Sequence, residues 1–193
     1  MAMAAEESSK PQQSKWEGKL CAELKGVTAE QVWPLLEDFF NLHKWFPAID
    51  TCKPLEGVSV QPGCVRYCAI TKSPPAPSSE SSAEEKEIAA TTTWANERLV
   101  AIDPVERSLT YEVTENSMGI KSYLATMKVF QLSKAAAAEA AAANSEGCKI
   151  EWSLEADPIE GLTSEAFLSY CESSLKGMAQ RMEDALCRTP TTL

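Results

Sequence analysis

The sequence predicts an α+β domain in which an antiparallel sheet lays one face on a long amphipathic helix. Three observations carry this. From Cys148 to Asp157 the residues alternate strictly, with Ile150, Trp152, Leu154 and Ala156 on one face and Glu151, Ser153, Glu155 and Asp157 on the other. That is a strand with one dry and one wet face. From Thr163 to Arg188, Phe167, Cys171, Leu175, Met178, Met182 and Ala185 recur every three or four residues, an apolar helical stripe. Between the first helical signals and this last one, the apolar pattern is that of strands.

In chain order, residues 1–14 are small, polar and charged; they cannot bury enough apolar area to order and are expected to form a disordered tail. One folded domain is expected over 15–189, with 190–193 a second short tail. Trp16, Leu20, Ala22 and Leu24 alternate and predict a first strand that ends at Gly26. Thr28 and Gln31 have capping-box spacing, and Val32, Leu35, Leu36 and Phe39 make a helical face. Pro34 opposes an unbroken helix, because it lacks the N–H and clashes with the preceding turn, so a kink or a short 3₁₀ piece is expected near it. Asn41 to Phe46 reads as a second short helix stopped by Pro47.

Strands are expected at Thr51–Glu56, Val65–Ile70, Thr91–Asp103, Leu109–Glu115, Ser122–Leu132 and Cys148–Asp157, with a turn at Asp103-Pro104. Two segments read as mobile insertions: a Pro/Ser/acidic loop at about 72–88, and an alanine-rich connection at about 133–147 that has helix propensity but no apolar face to dock. The closing helix has Thr163 as its N-cap and Glu165 in its first turn.

Composition limits the function. In 193 residues the formal net charge is -10, and no basic stripe exists to release counterions from nucleic acid. The N-terminus lacks a basic and an apolar signal region, and no run is long enough to span a bilayer, so a cytoplasmic protein without membrane insertion is expected. The cysteines at 21, 52, 64, 68, 148, 171 and 187 are odd in number and lack zinc-type spacing; reduced core thiols are expected. With a single histidine, His43, neither a metal nor another cofactor is expected. That histidine reads as a packed or surface residue, since no acid or thiol lies near it in sequence.

A folded body of roughly 150 residues can hold a core and a cavity. Arg66, Glu97, Tyr111 and Tyr123 fall singly on four successive strands. Alternation puts Glu97 with Leu99 and Ala101, Tyr111 with Leu109 and Val113, and Tyr123 with Ala125, Met127 and Val129. A carboxylate buried there needs a partner, and Arg66 is the available charge, although its face is ambiguous between Val65, Tyr67 and Ala69 and Cys64, Cys68 and Ile70. The four residues fit a lined pocket. They fit equally a satisfied buried ion pair with tyrosines as hydrogen-bond partners.

One strand, two short helices, six strands and a long helix is the element order of the helix-grip fold. The strings Lys15-Trp16-Glu17-Gly18-Lys19, Asp38-Phe39-Phe40-Asn41-Leu42-His43-Lys44, Gly63-Cys64-Val65-Arg66-Tyr67, Glu97-Arg98-Leu99-Val100-Ala101-Ile102-Asp103 and Tyr123-Leu124-Ala125-Thr126-Met127 resemble plant lachrymatory-factor synthases. So do Ala29-Glu30-Gln31-Val32-Trp33 and Ile159-Glu160-Gly161-Leu162-Thr163. The resemblance covers nearly all of the chain outside the tail and the two insertions. It implies a START-like, Bet v 1-like fold, shared with polyketide cyclases and abscisic-acid receptors: a curved seven-stranded antiparallel sheet around the long helix, enclosing a small-molecule cavity.

The resemblance also implies a cofactor-independent isomerase that rearranges an alkenyl sulfenic acid, supplied by an alliinase, to a thial S-oxide. Residue by residue, Arg66, Glu97, Tyr111 and Tyr123 match its catalytic positions. Glu97 would shuttle the proton, Arg66 hold the developing oxyanion, and the tyrosines orient the substrate. Hormone sensing is disfavoured. The receptors' gate is replaced by Ser73-Pro74-Pro75-Ala76-Pro77, their latch by Asn116-Ser117-Met118-Gly119, and the lysine that pairs with the hormone by Asp50. A non-catalytic carrier or sensor of another small apolar ligand is the alternative.

Overall fold

The computed structural model describes residues 14–72, 90–132 and 146–188. The expected tails and both insertions lie outside the described residues, apart from a few at their edges. Seven strands, β1 (Trp16–Lys25), β2 (Thr51–Glu56), β3 (Val65–Lys72), β4 (Thr91–Asp103), β5 (Ser108–Asn116), β6 (Tyr123–Gln131) and β7 (Gly147–Ala156), form one antiparallel sheet in the order β1-β7-β6-β5-β4-β3-β2. The helix α1 (Ala29–Glu37) and a 3₁₀ helix (Phe39–Lys44) follow β1, and α2 (Ser164–Arg188) closes the chain. This is the helix-grip arrangement.

Local chemistry explains the helix ends. Thr28 Oγ1 accepts from the Gln31 backbone N–H at 3.3 Å, and Gln31 Oε1 accepts from the Thr28 N–H at 2.9 Å, the reciprocal capping box. Thr163 Oγ1 caps α2 by accepting from the Ala166 N–H. Pro34 stands inside α1, which continues three residues beyond it to Glu37. The break comes instead at Asp38 (ψ 73°), and the 3₁₀ helix starts after it. The second helix therefore begins at Phe39, two residues before the expected Asn41.

The core lies between the sheet and α2. β7 alternates as expected, with Cys148, Ile150, Trp152, Leu154 and Ala156 buried. On α2, Phe167, Cys171, Leu175, Met178 and Met182 are buried, but Ala185 is exposed and Leu186 packs against the core in its place. Four residues past Met182 is nearer one full turn than three, so the stripe drifts to 186. Ala101 is likewise exposed rather than sharing the face of Glu97 and Leu99. The ladder passes from Leu99↔Tyr111 to Ala101↔Thr110, leaving Val100 as an extra residue in a β-bulge; the bulge reverses the alternation beyond it and turns Ile102 inward.

Gly177 of α2 is where Pro47, three residues beyond the end of the 3₁₀ helix, meets the helix. A Cβ at Gly177 would sit 2.6 Å from Pro47 Cγ, an atom of a rigid ring. Gly177→Val is expected to destabilise the protein by about 1–3 kcal/mol through overpacking, read as a lower urea midpoint with unchanged slope.

Candidate functional site

The ambiguity at Arg66 is settled by register. Arg66 pairs directly with Glu97 across β3 and β4, so it shares the inward face of Cys64, Cys68 and Ile70. Its Nε and Nη2 donate to Glu97 Oε2 at 2.7 and 2.6 Å, and its Nη1 donates to the Phe39 carbonyl at 2.8 Å. The guanidinium lies over the Phe39 ring, 3.9 Å from its centroid, a cation–π contact. Arg66 is only 4% exposed. Burial alone would lower its pKa, but Glu97, and after it Cys68, Cys52 and Tyr111, more than offset this and hold it above the ordinary arginine value.

Glu97 is held from one side. Among the described residues, the hydrogen bonds it accepts, those of Arg66, fall on Oε2, which the Cys68 sulfur also approaches to 3.9 Å. Oε1 accepts none. Glu97 lines an apolar cavity of about 140 Å³ together with Tyr111, Tyr123, Cys68, Leu42, Phe46, Met127, Trp152 and Phe167. The Tyr111 and Tyr123 hydroxyls are 3.5 Å apart. Burial, and then Glu97, raises the Tyr111 pKa; burial, and then Tyr111, raises that of Tyr123 well above the ordinary phenol. Both are neutral O–H donors facing the same space as the carboxylate.

All four sequence-selected residues thus come together, but not as equals. Glu97, Tyr111 and Tyr123 line the cavity, whereas Arg66 stands behind Glu97 with its N–H groups turned to Glu97 and Phe39. Sequence reasoning missed four participants. Trp152, read only as core, lines the cavity with its buried Nε1–H unpartnered. Cys52 and Cys68 face each other on β2 and β3, with sulfurs 3.6 Å apart, a contact between strands that alternation within one strand does not show. His43 bears on Cys52, a thiol neighbour invisible at nine residues' separation. Among the described residues, no three His, Cys, Asp or Glu side chains converge to hold a metal, and no helix is long and apolar enough to cross a membrane.

Residues 22–183 match the family model described as polyketide cyclase / dehydrase and lipid transport. The chain belongs to this family. Among solved structures, it is similar to the protein XoxI from Bacillus cereus, at 21% identity with a TM-score of 0.62, covering 89% of this chain and 96% of that one. A second is a putative uncharacterized protein from Bacillus thuringiensis, at 22% identity and TM-score 0.58, covering 89% and 98%. At such identities the likeness establishes the fold alone. For a polyketide cyclase/dehydrase family member, an apolar cavity fits binding of a small hydrophobic molecule or catalysis on one.

Two outcomes follow from the geometry. Arg66→Leu removes the guanidinium and leaves a carboxylate at an apolar wall, so it is expected to cost about 3–5 kcal/mol in urea unfolding. Lys176→Ala, which breaks the exposed Lys176–Glu172 pair, should cost no more than about 1 kcal/mol. Stability should also fall in alkali. Tyr111 and Tyr123 are raised as above, and burial pushes Cys148 and Cys171 up to about 11 and about 12. The unfolded chain releases these protons first, at the ordinary values of about 8.5 for thiols and about 10 for phenols. The stabilisation is therefore complete below those values and is lost as pH rises toward the folded ones. Urea midpoints from about pH 8 to 11 are expected to decline, less steeply in Tyr111→Phe.

Proposed function

We propose that the protein is a cofactor-independent isomerase that moves a proton within a small alkenyl sulfenic acid to give a thial S-oxide, with an alliinase as the source of the substrate. The observation that carries this reading is the one-sided Glu97: Arg66 binds Oε2, Oε1 accepts no hydrogen bond among the described residues, and Glu97 lines the same cavity as the neutral Tyr111 and Tyr123 side chains. The resemblance to lachrymatory-factor synthases supports the substrate class, and so does size. A cavity of about 140 Å³ is close to the roughly 150 Å³ that accepts benzene, and well under the roughly 300–1,000 Å³ of sites for drug-sized ligands.

In the proposed reaction Glu97 takes the proton from the S–OH group. The electron pair of the O–H bond shifts through sulfur, the C–S bond becomes double and the C=C bond single, and the distal carbon takes the proton back from Glu97. No atom or electron is gained or lost. Negative charge develops on the sulfenate oxygen and is met by the Tyr111 and Tyr123 hydroxyls and the Trp152 N–H, in a site where water is scarce and such bonds are worth more. Arg66 serves as a positioning residue. It holds the carboxylate through Oε2 and leaves Oε1 without a hydrogen bond.

The decisive assay adds purified protein to alliinase and an alkenyl cysteine sulfoxide and measures thial S-oxide. Wild type should form it, and Glu97→Gln should be slower by about 10²- to 10⁴-fold with its circular dichroism unchanged. If wild type binds small apolar ligands tightly but makes no product, and Glu97→Gln binds equally well, the protein is a carrier of the same fold.

A further inference from the structure

Cys52 and Cys68 stand directly opposite each other on β2 and β3, and both are free thiols. Their sulfurs, 3.6 Å apart, are in van der Waals contact. A disulfide needs Cα atoms roughly 4.4–6.8 Å apart, and facing residues of an antiparallel pair lie about 4.5–5.5 Å apart. Side-chain rotation can therefore close the bond without moving the sheet. The two thiols have different surroundings. Cys52 is half-buried on the edge strand; Cys68 is buried and lines the cavity.

Their proton is shared unequally. The Cys68 thiol donates to the Cys52 sulfur, and this bond, aided by Arg66, the Leu42 backbone and His43, outweighs burial and holds Cys52 below the ordinary thiol range. The same bond, with burial and Glu97, raises Cys68. Cys52 is thus the thiolate and Cys68 the reserve thiol, the division of labour of an attacking and a resolving cysteine. Beside them, the buried His43 Nδ1 has no hydrogen-bond partner, so the pair has a polar neighbour that nothing in the fold occupies.

We propose that Cys52 and Cys68 form a dithiol site that takes a low-molecular-weight disulfide and reduces it to two thiols as the Cys52–Cys68 bridge closes. The Cys52 thiolate attacks one sulfur of RSSR, forming Cys52–S–S–R and releasing RS⁻. Cys68 gives its proton to the Glu97 carboxylate, 3.9 Å away, then attacks the Cys52 sulfur and expels the second RS⁻. RSSR gains two electrons and leaves as two thiolates, one taking the Cys68 proton back from Glu97 and the other a proton from water; the chain gains one S–S bond. Closure also withdraws the Cys68 thiol from Glu97 Oε2 and ties the edge strand to the cavity wall. The site stands whatever the cavity binds.

The test incubates the full chain with glutathione disulfide, alkylates what remains reduced and maps the peptides by mass. Wild type should show the Cys52–Cys68 bridge about tenfold or more faster than glutathione appears on the exposed Cys21 and Cys187. Cys68→Ser should stop at a glutathione adduct on Cys52, and Cys52→Ser should leave Cys68 reduced. Glutathione on Cys21 or Cys187 with Cys52 and Cys68 both alkylated overturns the proposal. So does a Cys68→Ser protein of native circular dichroism with no adduct on Cys52. If neither variant folds, the wild-type map decides alone.

Discussion

The guanidinium of Arg66 sets terms that the surrounding structure has to meet. A buried charge is tolerable only if it is paired and its donors are satisfied, and Arg66 draws its partners from two places: Glu97 across the strand pair and the Phe39 carbonyl from the 3₁₀ helix. Register between β3 and β4 is pinned as a result, since a slip of one residue would turn Glu97 to the outer face. The 3₁₀ helix is fixed to the sheet by the same side chain, and that helix brings Leu42 to the cavity wall, with Phe46 close behind it. One ion pair thus positions the carboxylate, the adjoining wall and the segment over them.

What the cavity offers follows from how little polarity it contains. Its walls are mostly apolar, and the polar groups that reach it are a carboxylate oxygen, two phenols kept protonated by burial and an indole N–H. Such a site favours chemistry in which one proton moves and a transient negative charge is met by fixed neutral donors. Membership of the family does not choose between that and simple binding, because the same fold serves both.

Much of this was legible in the sequence, for a physical reason. Strand alternation is a local property, so β7 and the stripe on α2 were readable up to the point where helical drift exchanges Ala185 for Leu186. A lone polar residue on an apolar strand is expensive to bury, which singled out Arg66, Glu97, Tyr111 and Tyr123 before any contact was known. Relations between strands were not legible. The Cys52–Cys68 contact depends on the register of β2 against β3, and the inward turn of Ile102 depends on an extra residue at Val100 that no local pattern announces. Pro34 shows a limit of local propensity: a kink or short 3₁₀ piece is expected near it, and a 3₁₀ helix does follow, but only from Phe39, because α1 continues to Glu37 with Val32, Trp33 and Leu36 buried against the core and packing outweighs the one lost hydrogen bond.

The two readings of Arg66 and Glu97, structural pair or working site, make different demands on the backbone. A structural pair is best served by a regular ladder and a carboxylate bonded through both oxygens, because each unpaired lone pair in a dry interior is a cost. The strand carrying Glu97 does neither. Pairing of β4 with β5 is irregular on both sides of it, skipping Thr114 between Asn96 and Glu97 and bulging at Val100 beyond Leu99. Bulges gather where a side chain must be re-aimed, and here they flank a carboxylate bonded to its counter-ion through Oε2 alone. A regular ladder would serve a structural pair as well, so the distortion is in keeping with the proposed role of Glu97 as a group that meets a substrate.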